Sequence, residues 1–168
     1  KLHAALSGIP GGEARPLEPS ALCRRAVEAL RMIPGSAPTR QVIEAWYARS
    51  FGAAVRPPLP SGNCHGDVWA CNAVVQEHGQ EHGIGFFDFD DCGYGPYVLD
   101  LGTATWYFLR GDPAKAAALV AALLAGYERI RPLSGAERRA LPHFVKLAEI
   151  RALLFLAGFC NLAEDLWP

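Results

Sequence analysis

Apolar residues recur at helical spacing in several stretches of the chain and at strand-like spacing in only one region. Leu22, Ala26, Ala29, Leu30 and Ile33 share one face of a helix predicted over residues 19–32, which "PGSAP" ends. A second helix is predicted over 39–52, with Thr39 as its N-cap and Gly52 as its C-terminal stop. The proline-rich stretch 56–63 cannot be helical and reads as a constrained loop. Two runs rich in β-branched and aromatic residues follow, 73–76 and 84–89, with the turn-forming "EHGQEHG" between them; together they predict a β-hairpin. A third helix spans 112–131, with Asp112 as N-cap and Pro113 at its first position. Ser134 and Glu137 form a capping box, and residues 144–159 are apolar almost all round, which predicts a buried helix. The pattern is that of an α+β, mainly helical chain carrying one β-hairpin.

Composition narrows the choice. With 168 residues, 51% of them hydrophobic, the chain can bury a core as one domain or one large lobe. Sixteen basic and 17 acidic residues nearly cancel, so no overall positive field recruits nucleic acid or an anionic membrane. No apolar run reaches the roughly 20 residues that cross a bilayer, and no signal-peptide pattern opens the chain. A soluble cytoplasmic protein is expected. Five irregularly spaced cysteines suit reduced thiols better than a disulfide framework. Cys64, His65, Cys71 and Cys92 offer a possible zinc set but lack the paired spacing of structural zinc sites. The first residue is lysine, which points to something removed upstream.

Polar residues gather at the ends of the hairpin. His65, Gly66, Asp67 and Asn72 precede it, and Asp88, Asp90 and Asp91 follow it. Antiparallel pairing returns the second strand to the start of the first, so Asp67, Asn72 and Asp88 should converge on one point. Two carboxylates and an amide oxygen are hard ligands that suit Mg²⁺, which predicts a metal-assisted transfer site. Asp91 reads as a solvated turn acid, and Trp46, Trp106 and Trp167 as packing residues.

The ordered motifs H-G-D-x4-N (65–72), D-F-D (88–90), G-Y-G-P (93–96) and L-D-L (99–101) resemble the aminoglycoside phosphotransferase and choline kinase group, relatives of the protein kinases. "CHGDVWACN", "FFDFDDCGYGP" and "LDLG" are most similar to its bacterial branch of homoserine-kinase-like and stress-response Ser/Thr kinases. The first motif alone would arise by chance in roughly one chain in a thousand of this length. The resemblance implies a protein-kinase-like C-terminal lobe and an ATP-dependent, Mg²⁺-assisted phosphotransferase acting on a hydroxyl group of a small molecule or a Ser/Thr side chain. It makes Asp67 the catalytic aspartate, and Asn72 and Asp88 the metal ligands. Asp90 replaces the glycine of the kinase D-F-G triplet, leaving metal, substrate or backbone as its partner. Asp100 and His65 would brace the catalytic loop, and Trp69, inside that loop, is placed to face substrate.

No glycine-rich strand-turn-strand, no paired lysine and no adenine hinge occur in the sequence, and "PGGEA" (10–14) has no flanking strand to make it a phosphate loop. Residues 1–168 therefore read as the catalytic lobe alone, without an N-terminal nucleotide lobe and inactive by itself. Its uncovered apolar face would meet that lobe or self-associate. Two rivals use the same residues: a metal-dependent phosphohydrolase, and a non-catalytic pseudokinase-like binding module.

Overall fold

The computed structural model describes residues 2–6, 15–52, 58–78 and 81–166. The "PGGEA" segment, Trp167 and the side chain of Cys160 lie outside the described residues.

A short helix α1 (Leu2–Leu6) precedes two longer ones, α2 (Pro19–Leu30) and α3 (Ala37–Phe51). Three features agree with the apolar spacing: α2 buries Leu22, Ala26 and Leu30, Gly52 caps α3, and Asp112 caps a later helix. Helix α3 starts two residues before the predicted Thr39 cap, because Pro38 fits the first turn and needs no amide partner there. Ser36 occupies the cap position, but its hydroxyl donates backwards to the Leu30 carbonyl rather than capping α3.

Four strands follow, β1 (Ser61–Cys64), β2 (Ala73–His78), β3 (Glu81–Phe86) and β4 (Gly93–Pro96). Strands β2 and β3 are the predicted antiparallel hairpin, with Ala73 opposite Phe86 and His78 opposite Glu81. The pairing runs further into "EHGQEHG" than its glycines and polar residues suggested, and β3 stops at Phe86 rather than continuing to residue 89. Strands β1 and β4 form a second antiparallel pair, Ser61 opposite Pro96 and Cys64 opposite Gly93. This corrects the loop expected at 56–63. The SGNC segment, with one glycine and a proline just ahead of it, carries no hydrophobic alternation, so its strand state comes from a partner 29 residues or more away. Pro16 bridges β4 at Tyr94, and the Leu17 and Tyr94 amides bond across that junction at 2.9 Å each.

The remaining helices are α4 (Val98–Arg110), α5 (Pro113–Glu128) and α6 (Gly135–Leu166). Asp112 accepts the Ala114 amide at 3.0 Å as the N-cap of α5. The capping box ahead of α6 is reciprocal: Glu137 N–H donates to Ser134 Oγ at 3.2 Å, and Ser134 N–H to Glu137 Oε2 at 3.0 Å. Glu137 also receives Arg131 at 2.7 Å, so this buried carboxylate is fully paired.

The core lies where α2, α4 and α6 meet, around Leu17, Leu22, Val98, Leu99, Phe144 and Leu147. Gly102 lets α4 lie against α6 because a Cβ there would stand 2.7 Å from the Phe144 carbonyl carbon. Helix α6 is not buried all round as predicted. Phe155 and Leu156 are 74% and 54% exposed, since only one side of α6 faces α2 and α4. Among the described residues no helix is long and apolar enough to cross a membrane.

Candidate active site

The two strand pairs fix the site. Strand β1 delivers the chain into residues 65–67, and the Cys64–Gly93 pairing keeps that loop beside residues 91–92. The hairpin closes the other side: Phe87 N–H donates to the Asn72 carbonyl at 3.1 Å, immediately beyond the Ala73–Phe86 pair.

Helix α4 holds the loop from below. Asp100, 3% exposed, accepts the His65 amide on Oδ2 at 2.9 Å and the Gly66 amide on Oδ1 at 2.8 Å. His3, on α1, bonds the same Oδ2 at 2.8 Å through Nε2, and its Nδ1 meets the Tyr127 hydroxyl at 3.0 Å. Gly66 has φ +84°, and a Cβ there would lie 2.1 Å from the Asp91 carbonyl oxygen, so only glycine fits. The buried His65 ring spans two segments, accepting the Asp67 amide on Nδ1 at 3.3 Å and donating from Nε2 to the Phe87 carbonyl at 3.0 Å. Those contacts fix its tautomer and employ both nitrogens. The zinc set is thereby set aside: His65 has no lone pair to give, Cys64 is buried, and Cys71 and Cys92 are exposed.

A cavity of about 400 Å³ opens above this loop, lined among others by Asp67, Trp69, Asn72, Asp88, Tyr107 and Arg151. Asn72 Nδ2 donates to the Asp67 carboxylate (Oδ2, 2.9 Å) and to its carbonyl (3.1 Å). Both amide hydrogens are then used, and Oδ1 of Asn72 is left as an acceptor. The Tyr107 hydroxyl donates to Asp67 Oδ1 at 3.0 Å. Burial, and then the charge and hydrogen bond of Asp67, push the Tyr107 hydroxyl up to about 12. Trp69 stacks on Tyr107 with ring centroids 4.7 Å apart. Asp88 sits at φ +62°, the one non-glycine residue with positive φ among those described, and its exposed carboxylate bonds to no described residue. Such a conformation costs a β-carbon residue roughly 1–2 kcal/mol.

Asp90 does not line the cavity; only its carbonyl is engaged, by Arg15 at 3.2 Å. Asp91, expected to be a solvated turn acid, does line it and is ion-paired to Arg15 (2.6 Å) and Arg151 (3.2 Å). Arg151, from the middle of α6, also donates to the Gly66 carbonyl and to Thr103 Oγ1. Trp106 faces the cavity rather than the core. Tyr107 and Arg151 escaped sequence reasoning because nothing local marks them. Each lies about 40 or more residues from its partner, on a helix whose apolar spacing is ordinary.

The donor set fits a hard divalent cation. Asp88 offers an unpartnered carboxylate, Asn72 a spare amide oxygen and Asp67 the remaining lone pairs of its carboxylate, all on one cavity.

Residues 1–133 match the Phosphotransferase enzyme family. The chain belongs to that family. It is 33% identical over 162 residues to a homoserine kinase of Gluconacetobacter diazotrophicus, covering 91% of this chain and 48% of the relative. A protein of Deinococcus radiodurans is 37% identical over 132 residues, covering 77% of this chain and 36% of the relative. The chain thus spans about half, or less, of the length of the curated relatives it matches. An amicoumacin kinase solved in complex with AMP-PNP, Ca²⁺ and Ami superposes with a TM-score of 0.69 at 19% identity, covering 94% of this chain and 48% of that one. That likeness establishes the kinase-like fold of this phosphotransferase-family chain, in agreement with the resemblance carried by residues 65–101.

Proposed function

We propose that the protein is the catalytic lobe of a kinase that transfers the γ-phosphoryl group of ATP to a hydroxyl group of a small molecule. The observation that carries this reading is the Asp67 carboxylate, gripped by Asn72 and Tyr107 on a cavity that Asp88 also lines. A carboxylate oriented by two donors retains lone pairs for a third. In this reading Asp67 accepts the proton of the acceptor hydroxyl as that oxygen bonds to the γ-phosphorus and the bond to the ADP oxygen breaks. Asp88 and Asn72 would hold Mg²⁺, which when bound neutralises charge on the phosphate oxygens. His65, Asp100 and Arg151 keep the loop in place from behind, and Trp69 with Tyr107 forms the acceptor wall. The relatives' name and the neighbour's bound AMP-PNP and Ca²⁺ support ATP, a divalent cation and a small hydroxyl acceptor, homoserine being the first to try.

Adenine and part of the phosphate grip are assigned to a separate N-terminal lobe, because the sequence contains no glycine-rich hairpin with a lysine strand. The test is ADP release by the complete enzyme with Mg-ATP and a panel of hydroxyl acceptors. Acceptor-dependent ADP, lost in Asp67→Asn, is expected. Phosphate release without any acceptor would favour a hydrolase instead.

A further inference from the structure

A second cavity, of about 200 Å³, adjoins the first and shares Asp91, Arg151 and Phe155 with it. Its polar wall is Arg15, Arg25 and Arg151 around the single carboxylate of Asp91, and Leu154 and Phe155 line its apolar side. The three arginines come from separate elements: Arg15 from the segment bridged to β4, Arg25 from α2, and Arg151 from α6. Asp91 satisfies two of them, Arg15 at 2.6 Å and Arg151 at 3.2 Å. Arg25 has no hydrogen bond or ion pair among the described residues.

Three guanidinium charges against one carboxylate leave an excess of two positive charges on this wall. Partial burial, and then the charge of Arg15, pull the Arg25 guanidinium below its ordinary range, with Asp91 opposing and Arg151 adding to the effect. Arginine stays charged under such pressure, so the repulsion persists until an anion arrives. A guanidinium fork matches an oxyanion in two parallel hydrogen bonds.

We infer that Arg25, together with Arg15 and Arg151, forms a subsite for the carboxylate of a small hydroxy acid whose hydroxyl reaches Asp67 in the adjoining cavity. The shared residues set the two cavities side by side, and Leu154 and Phe155 provide an apolar wall for a short carbon chain. This rests on the phosphotransferase reading for the role of the hydroxyl, but anion binding by Arg25 stands apart from it. A nucleotide phosphate is the other source of an oxyanion, and the measurements below separate the two.

The experiment is calorimetric titration of the 168-residue chain in low-chloride buffer with two probes, L-homoserine and L-homoserinol, which differ only in the carboxylate. A charge-assisted bidentate contact should favour the carboxylate probe by about tenfold to a hundredfold. Arg25→Ala should abolish that preference, and Arg25→Lys should keep part of it. Arg25 is half-buried on α2, where alanine is a good helix former, so the variant should melt like the parent. Equal binding of both probes, binding of neither, or a preference that survives Arg25→Ala would overturn the subsite. So would a variant whose loss falls on inorganic triphosphate while the homoserine preference stays. Failure of the kinase reading would show differently, as ADP release indifferent to Asp67→Asn while the carboxylate preference at Arg25 remained.

Discussion

Tyr107 donates its hydroxyl to Asp67 Oδ1 at 3.0 Å, joining the last turn of α4 to the loop that follows β1. The bond ties the orientation of the Asp67 carboxylate to a helix that, through Asp100, also holds the His65 and Gly66 amides. It also perturbs the phenol, whose proton the folded protein holds more tightly than the unfolded chain does.

Tyr107 should therefore ionise near pH 12 rather than its ordinary 10, because of burial first and the Asp67 charge second. A raised folded value means that the stability contribution is complete below pH 10 and is lost as pH rises from 10 to about 12. The ultraviolet difference titration of parent minus Tyr107→Phe isolates this group from the other tyrosines. Asp67→Asn should shift the titration back toward 10, and an unchanged midpoint would show that the carboxylate plays no part.

Asp67→Ala in the complete enzyme should cost about 10² to 10⁴ in turnover with nucleotide affinity nearly intact, the usual extent of general acid-base help. Asp88→Ala should instead weaken Mg-ATP binding. Steady-state kinetics over a Mg²⁺ series distinguishes the two, and parental turnover in both variants would remove the assignments.

Asp88 keeps a left-handed backbone, φ +62°, that glycine adopts without strain. Asp88→Gly should accordingly stabilise the folded protein by up to about 1 kcal/mol in urea unfolding while removing a proposed metal ligand. Stability rising as Mg²⁺ affinity falls would identify a residue kept for its chemistry. Loss of stability would mean that the carboxylate holds the loop.

Asp100→Ala strands the His65 and Gly66 amides and the His3 ring in a buried site. Leaving buried donors unpaired should cost about 3 kcal/mol or more. Urea unfolding measures the loss. Hydrogen exchange should locate it, with the amides of residues 65 and 66 deprotected first.

Thiol reagents should label Cys71 and Cys92 in the folded chain and reach Cys23 and Cys64 only after unfolding. Burial pushes the Cys23 thiol up to about 11, and raises Cys64 further still, with the Asp100 charge adding to burial. Mass-spectrometric mapping of the labelled peptides checks the order.

By itself the sequence determined whatever depends on near neighbours. Apolar spacing set α2 and α5, the Ser134–Glu137 box set the start of α6, and the hairpin followed from two β-rich runs whose geometry brings Asp67, Asn72 and Asp88 onto one cavity. Those outcomes rest on periodicities of 3.6 and 2 and on caps that act within one turn, all local quantities. Tertiary structure decided what depends on distant partners. The glycine-bearing SGNC segment becomes a strand only against β4, and Asp91 changes from a solvated acid to a bridge because Arg15 and Arg151 arrive from elsewhere in the chain. Tyr107 becomes part of the site because α4 passes beneath the loop, and Phe155 stays exposed because it lies on the side of α6 turned away from α2 and α4, while Ala157 on the other side is buried. Charge pairing and burial are fixed by where folded elements meet, a property no local run of residues carries.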